Sequence, residues 1–204
     1  MNLQPHPLNT EFKWQDAELP FSIISTEQAE QGNREGYFLL EGVLTLEALQ
    51  AVKTAIDPME EKTSEFLRTV KDRRQFIARA DELTFAPHPV LRSTDATIEN
   101  GCPWVMPGVH SKGTLDHWYT DLGWQCLDGL DGAVPVEAKT GDVVVFSSLT
   151  PHRTALNNTA EERKAYIVQY CHDGSRMYPR EGEQGVTQNH PERQFLMVKD
   201  DAPV

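Results

Sequence analysis

The periodicity of the chain changes once, near Pro87, and that change restricts the fold to helices first and sheets after. Leu46, Leu49, Val52 and Ile56 recur at helical spacing. Thr45 is the expected N-cap, with Glu47 in the first turn. Pro58 predicts a stop at Asp57, because the residue before a proline is biased away from the helical region. Asp57 then predicts a second cap, with Pro58 at the first helical position and Glu60 completing an Asp-x-x-Glu pattern. Met59, Phe66, Leu67 and Val70 give that second helix one apolar face. Two helices are therefore expected between about Thr45 and Lys71, followed by a solvated charge run at Lys71-Asp72-Arg73-Arg74.

Beyond Pro87 the apolar runs shorten and turn residues bound them. Residues 102–106, 124–127, 134–136 and 165–170 read as strands, and residues 143–148, after the turn Thr140-Gly141-Asp142, as the strongest. Residues 36–43 read as an earlier strand and turn. Residues 1–20 are polar, contain proline and read as a flexible arm, leaving 21–204 as one domain. The expected class is α+β, the β part being a barrel or a double-sheet jelly roll.

Composition excludes several functions. Lys and Arg number 19 against 31 Asp and Glu, a net charge of −12 that disfavours nucleic acid as a partner. No apolar run approaches the roughly 20 residues of a membrane helix, and no basic, then apolar, leader opens the sequence. Cys102, Cys126 and Cys171 are odd in number and widely spaced, which fits reduced thiols and a cytoplasmic setting.

The chemistry concentrates in residues 141–163. The strongest strand ends at Leu149-Thr150-Pro151-His152, where a histidine can face the mouth of a barrel. Arg163 follows eleven residues later, before the next strand, and arginine suits two-pronged recognition of a carboxylate. Each also reads locally as an ordinary surface residue.

The run Asn100-Gly101-Cys102-Pro103-Trp104-Val105-Met106-Pro107-Gly108-Val109-His110-Ser111-Lys112-Gly113 resembles the phytanoyl-CoA dioxygenase family. So do Gly141-Asp142-Val143-Val144-Val145-Phe146 with Pro151-His152, the Asn157-Asn158 loop, Arg163-Lys164-Ala165 and the opening Gly36-Tyr37-Phe38-Leu39-Leu40-Glu41-Gly42-Val43. The resemblance covers most of residues 30–172. It implies an iron(II)- and 2-oxoglutarate-dependent dioxygenase on a double-stranded β-helix (jelly roll, cupin-like) acting on a small-molecule substrate. It places His152 at the distal iron-ligand position, Arg163 on the distal carboxylate of 2-oxoglutarate and Thr154 at a hydroxyl position beside it.

The resemblance also implies an H-x-D or H-x-E motif before His152, to complete a 2-His-1-carboxylate triad. The only H-x-[DE] in the chain is His190-Pro191-Glu192, after His152 in a polar tail. Asp116, His117 and Asp121 are the candidate substitute ligands, and His110 reads as structural. Helix-like sequence ending Pro89-Val90-Leu91-Arg92-Ser93 runs straight into Asp95, so a central segment with the iron motif is expected to be missing near 93–94. An incomplete barrel of this kind would expose sheet edges and favour self-association.

Three functions remain open on sequence: a working oxygenase with a substitute ligand, a relic or binding module that keeps His152 and Arg163, and a cupin-like barrel that binds a small acid or sugar without redox chemistry.

Overall fold

The computed structural model describes residues 3–18, 20–21, 23–69, 90–92, 95–120, 123–160, 163, 165–178, 184–191, 194–199 and 202–204. The chain divides into two compact units, Met1–Gln169 and Tyr170–Val204. The larger contains α1 (Thr26–Glu35), β1 (Tyr37–Leu40), α2 (Leu46–Thr69), β2 (Val90–Arg92), β3 (Pro103–Val105), β4 (Trp118–Thr120), β5 (Gly123–Gln125), β6 (Val134–Pro135), β7 (Val143–Phe146), β8 (His152–Thr154) and β9 (Ala165–Ile167). The smaller holds two antiparallel pairs, β10 (Arg176–Met177) with β11 (Val186–Thr187) and β12 (Val198–Lys199) with β13 (Ala202–Pro203).

α1 begins with a capping box. Ser25 Oγ accepts from the Gln28 N–H at 3.2 Å, and Gln28 Oε1 accepts from the Ser25 N–H at 2.9 Å. Gly36 ends it in the left-handed region at φ 81°. The sequence reading contained no helix here, although Ser25-x-x-Gln28 and Gly36 are the signals that would have found it.

α2 corrects a second expectation. Thr45 caps it as expected, accepting from the Ala48 N–H at 3.1 Å, but Asp57 and Pro58 lie inside one continuous helix. Strong helix formers follow at Met59-Glu60-Glu61-Lys62, and they carry the helix past the one N–H that proline lacks. Leu49 is the buried anchor of the apolar stripe, whereas Leu46 is 78% exposed.

Two larger sheets, beside the two-stranded β4–β5 pair, make the described β part of the larger unit. One has the order β1-β7-β2-β9 and the other β6-β3-β8. β7 is central as its valines predict, antiparallel to β1 with Tyr37 opposite Phe146 and Leu40 opposite Val143. Residues Val90–Arg92, expected as the end of a helix, form β2 between β7 and β9. There the β-formers Val90 and Leu91 complete two ladders at once, which outweighs their helix-like flank. Val105 of β3 meets Val144 and Phe146 of β7 in a core shared with Val136 and Ala138, so the sheets stack face to face as in a jelly roll. Among the described strands no ladder joins one sheet to the other, and β1, β9, β6 and β8 are edges.

The segment expected as a loose arm is tied to the larger unit. The His6 N–H donates to the Thr114 carbonyl at 3.0 Å and the Asp116 N–H to the Gln4 carbonyl at 2.7 Å. Lys71–Arg74, His88, the 93–94 join and Asp121 lie outside the described residues.

Candidate functional site

The turn between β7 and β8 is built on one carbonyl. Gly36 accepts from the Ser147 N–H at 2.9 Å and from the Thr150 hydroxyl at 2.8 Å. Thr150 is 1% exposed, so this hydroxyl needs its partner, and the Thr150 N–H closes the turn on the Ser147 carbonyl at 2.9 Å. The carbonyl of Pro151 accepts from the Met106 N–H at 2.9 Å, and β8 then runs beside β3 with His152 opposite Val105.

His152 Nδ1 lies 2.9 Å from the Thr150 carbonyl. A carbonyl can only accept, so Nδ1 carries the proton and the ring lone pair is on Nε2, the tautomer suited to a metal ligand. The imidazole also lies 4.4 Å from the Phe146 ring. Its edge reaches the surface, but the protein massed around it makes the cation costly, and burial pushes its pKa below the ordinary histidine value against the opposing Thr150 bond.

His117 repeats the arrangement, with Nδ1 3.0 Å from the Leu115 carbonyl, two residues back. Its ring stacks on His6 at 5.0 Å and makes a T-shaped contact with Trp124 at 5.2 Å. His117 and His152 line the same cavity of about 170 Å³. Residues 148–152 form one wall, and Gly113, Thr114, Leu115, Trp124, Gln125 and Cys126 the other with His117. Burial pushes the Cys126 thiol pKa up, so that side chain stays a neutral wall group.

The other sequence candidates fall elsewhere. Arg163 is half-buried, donates from Nε to the Asn100 carbonyl at 3.1 Å, and is not among the residues lining the cavity. Thr154 ends β8 opposite Pro103, so both residues assigned to 2-oxoglutarate adjoin the 100–103 segment. Asp116 is exposed, accepts from the His117 N–H at 3.1 Å and does not line the cavity. His110 is fully buried, donates from Nε2 to the Asn33 carbonyl at 3.1 Å, and leaves Nδ1 without a partner. His190 belongs to the smaller unit, where its N–H donates to the Gln194 side chain.

No group of three His, Cys, Asp or Glu able to hold a metal ion occurs among the described residues. The described side chains therefore do not fit a three-ligand iron centre, although two histidines share one cavity.

The strand expected at 124–127 is β5, but sequence reading missed β4, its partner in a hairpin where Tyr119 and Trp124 pack edge to face at 5.3 Å and Trp124 lines the cavity. The aromatic spacing His117-Trp118-Tyr119 with Trp124 was its signal. It also missed why Asp142 follows Gly141. The Asp142 carboxylate accepts from the Gly42 N–H at 2.8 Å and the Lys139 N–H at 2.7 Å, tying the end of β1 to the start of β7.

Residues 90–165 match the family "Phytanoyl-CoA dioxygenase (PhyH)". A methylphosphonate hydroxylase of Gimesia maris is 33% identical over 84 residues, 37% of this chain and 29% of that protein. Phytanoyl-CoA dioxygenase domain-containing protein 1 of Mus musculus is 31% identical over 84 residues, 36% of this chain and 29% of that protein. The matched stretches thus span between 29% and 36% of the length of the curated relatives. EvdO2 from Micromonospora carbonacea var. aurantiaca, solved with 2-oxoglutarate, superposes with a TM-score of 0.54 at 17% identity, over 72% of this chain and 90% of that one. That likeness concerns the fold. No helix among the described residues is long and apolar enough to cross a membrane.

Proposed function

Because residues 90–165 are phytanoyl-CoA dioxygenase-like, we propose that the chain is an iron(II)- and 2-oxoglutarate-dependent dioxygenase acting on a small organic molecule in the His152 cavity. The observation that carries the reading is the placement of His152. The one histidine that the resemblance assigns to iron stands on the wall of a cavity with its lone pair on Nε2. Arg163 and Thr154, flanking the 100–103 segment, are the proposed grip on the distal carboxylate of 2-oxoglutarate. Asp121, outside the described residues, and His117 are the candidates to complete the ligand set; Asp116, off the cavity, is the weaker one. The described donors do not make up a triad.

That shortfall favours a second reading, a catalytically impaired relic or small-acid-binding module that retains the cavity without turnover. It agrees with a central segment missing near 93–94. Anaerobic Fe(II) loading followed by oxygen and 2-oxoglutarate, with succinate measured against His152→Ala, separates the two. Succinate release that disappears in the variant supports the dioxygenase. Binding of 2-oxoglutarate by calorimetry with no succinate supports the module. Neither succinate nor 2-oxoglutarate binding overturns both.

A further inference from the structure

We infer that the amino-terminal segment belongs to the site: residues 4–9 hold the cavity wall that carries His117, and His6 is a positioning residue that fixes the plane of the His117 ring. The inference rests on the reading of the His152 cavity as the working site and adds a positioning residue to it.

That wall lacks a sheet of its own. Gly113, Thr114, Leu115 and His117 line the cavity, yet they fall between a short 3-10 helix at Val109–Lys112 and β4, outside both larger sheets. The amino-terminal segment supplies the missing partners. Pro5 and Leu115 form an isolated antiparallel bridge, flanked by the bonds from His6 N–H to the Thr114 carbonyl and from Asp116 N–H to the Gln4 carbonyl. Asn9 adds a clamp, donating from Nδ2 to the Lys112 carbonyl at 2.8 Å and to the Thr114 carbonyl at 3.0 Å.

The two segments approach closely. Gly113 has φ 75°, and an added Cβ there would stand 2.7 Å from Asn9 Oδ1 and 2.7 Å from Phe12 Cδ1. Leu3 packs against the cluster of Met106, Val109 and Leu115. Farther along, Trp14 makes a T-shaped contact with the buried His110 at 4.4 Å, and Ala17 exchanges bonds of 2.9 Å and 3.0 Å with the Asn33 side chain. A terminal stretch tied down in this way is part of the fold.

His6 is where the segment meets His117. The Leu8 N–H donates to His6 Nδ1 at 3.1 Å and orients that ring. The two imidazoles then lie with planes 16° apart and centroids 5.0 Å apart. The Leu115 carbonyl, 3.0 Å from Nδ1, fixes one atom of the His117 ring, and the stacked neighbour fixes its plane. A site holds its geometry only where such contacts lock the side chains that line it.

The test reads histidine-ring ¹⁵N shifts and amide hydrogen exchange on the full chain at about pH 8, above the ordinary histidine range, without metal or 2-oxoglutarate. In the wild type His117 should show one nitrogen protonated and the other not, with the Asp116 amide protected. His6→Ala should move the His117 pair toward averaged values, because the ring can then turn away from Leu115. His6→Phe keeps a stacking face and should restore the wild-type pattern. Asn9→Asp sets an acceptor against two carbonyls, so it should reproduce the His6→Ala pattern and speed Asp116 exchange about tenfold. The His152 pair should stay unchanged in all three variants, which a general loosening of the fold would not allow. A His117 pattern indifferent to His6→Ala, no rescue by His6→Phe, an unprotected Asp116 amide in the wild type, or an equal change at His152 would each overturn the inference. Asn9→Asp leaves both rings in place and decides the matter if His6→Ala does not fold. Because nothing here is read from turnover, these shifts in a chain that releases no succinate would sink the dioxygenase reading and leave this one standing.

Discussion

Thr150 holds His152 with its carbonyl while its own hydroxyl is anchored to Gly36. The two bonds, at 2.9 Å and 2.8 Å, link the end of α1 to the tautomer of a histidine more than a hundred residues later in the chain. Thr150→Val keeps the shape and removes the anchor. It should cost about 1 kcal/mol, since the Gly36 carbonyl retains its bond from Ser147. The informative measurement is the ¹⁵N shift pair of the His152 ring. Wild type should show one nitrogen protonated and the other not; Thr150→Val should average the two. An unaltered pattern would show that the hydroxyl has no part in setting the tautomer.

Gly36 is the most demanding position on that path. It has φ 81°, and an added Cβ would stand 2.6 Å from Thr150 Oγ1 and against the His110 ring. Neither neighbour can retreat, because both are buried. Gly36→Ala should destabilise by about 2–4 kcal/mol through strain and displacement together. Denaturant melting checks this, and a loss below about 0.5 kcal/mol would mean that the turn adapts freely.

Acid should weaken the fold through His110. Burial lowers its pKa, opposed by the bond to Asn33 and by Asp16. Below the ordinary value of about 6.5 the unfolded chain binds a proton that the folded chain resists. Stability is therefore complete above that value and is lost as the pH falls toward the folded pKa. His110→Gln, which cannot titrate, should show a smaller drop in Tm between about pH 7.5 and 5.5 than wild type. Equal drops would assign the acid sensitivity to other groups, of which His152 is the first candidate because its pKa is lowered in the same direction.

Arg163 supplies the test of the anion position. If it grips 2-oxoglutarate in a desolvated pair, Arg163→Ala should weaken binding by roughly 2–5 kcal/mol. Arg163→Lys should recover only part, because a point charge cannot reproduce a two-pronged contact. Calorimetry on both variants decides it; unchanged affinity in both removes Arg163 from the site.

What the sequence disclosed follows the range of the forces involved. β7 was legible because four β-formers in a row, after a Gly-Asp turn, carry their own pattern. Thr45 was legible as a cap for the same local reason. β2 was not, because Val90–Arg92 are strand only by virtue of β7 and β9 on either side. Pro58 misled in the other direction, since a rule about one residue met a long run of helix formers. At the site, His152 was visible through its motif, whereas its company was not. His117 joins it, and Arg163 lies off the cavity, through pairings and turns that no linear spacing encodes.

The pairing of β1 with β7 bears on how the protein is made. Tyr37–Leu40 has as its partner Val143–Phe146, a separation of about a hundred residues. At roughly 5–20 residues per second, a ribosome needs about 5–20 s to deliver the second strand after the first. For that interval the nascent chain carries an apolar strand with α1 made and its ladder not yet in existence. Low temperature or added holdase chaperone during expression should then raise the yield of folded chain more than any change of buffer after release.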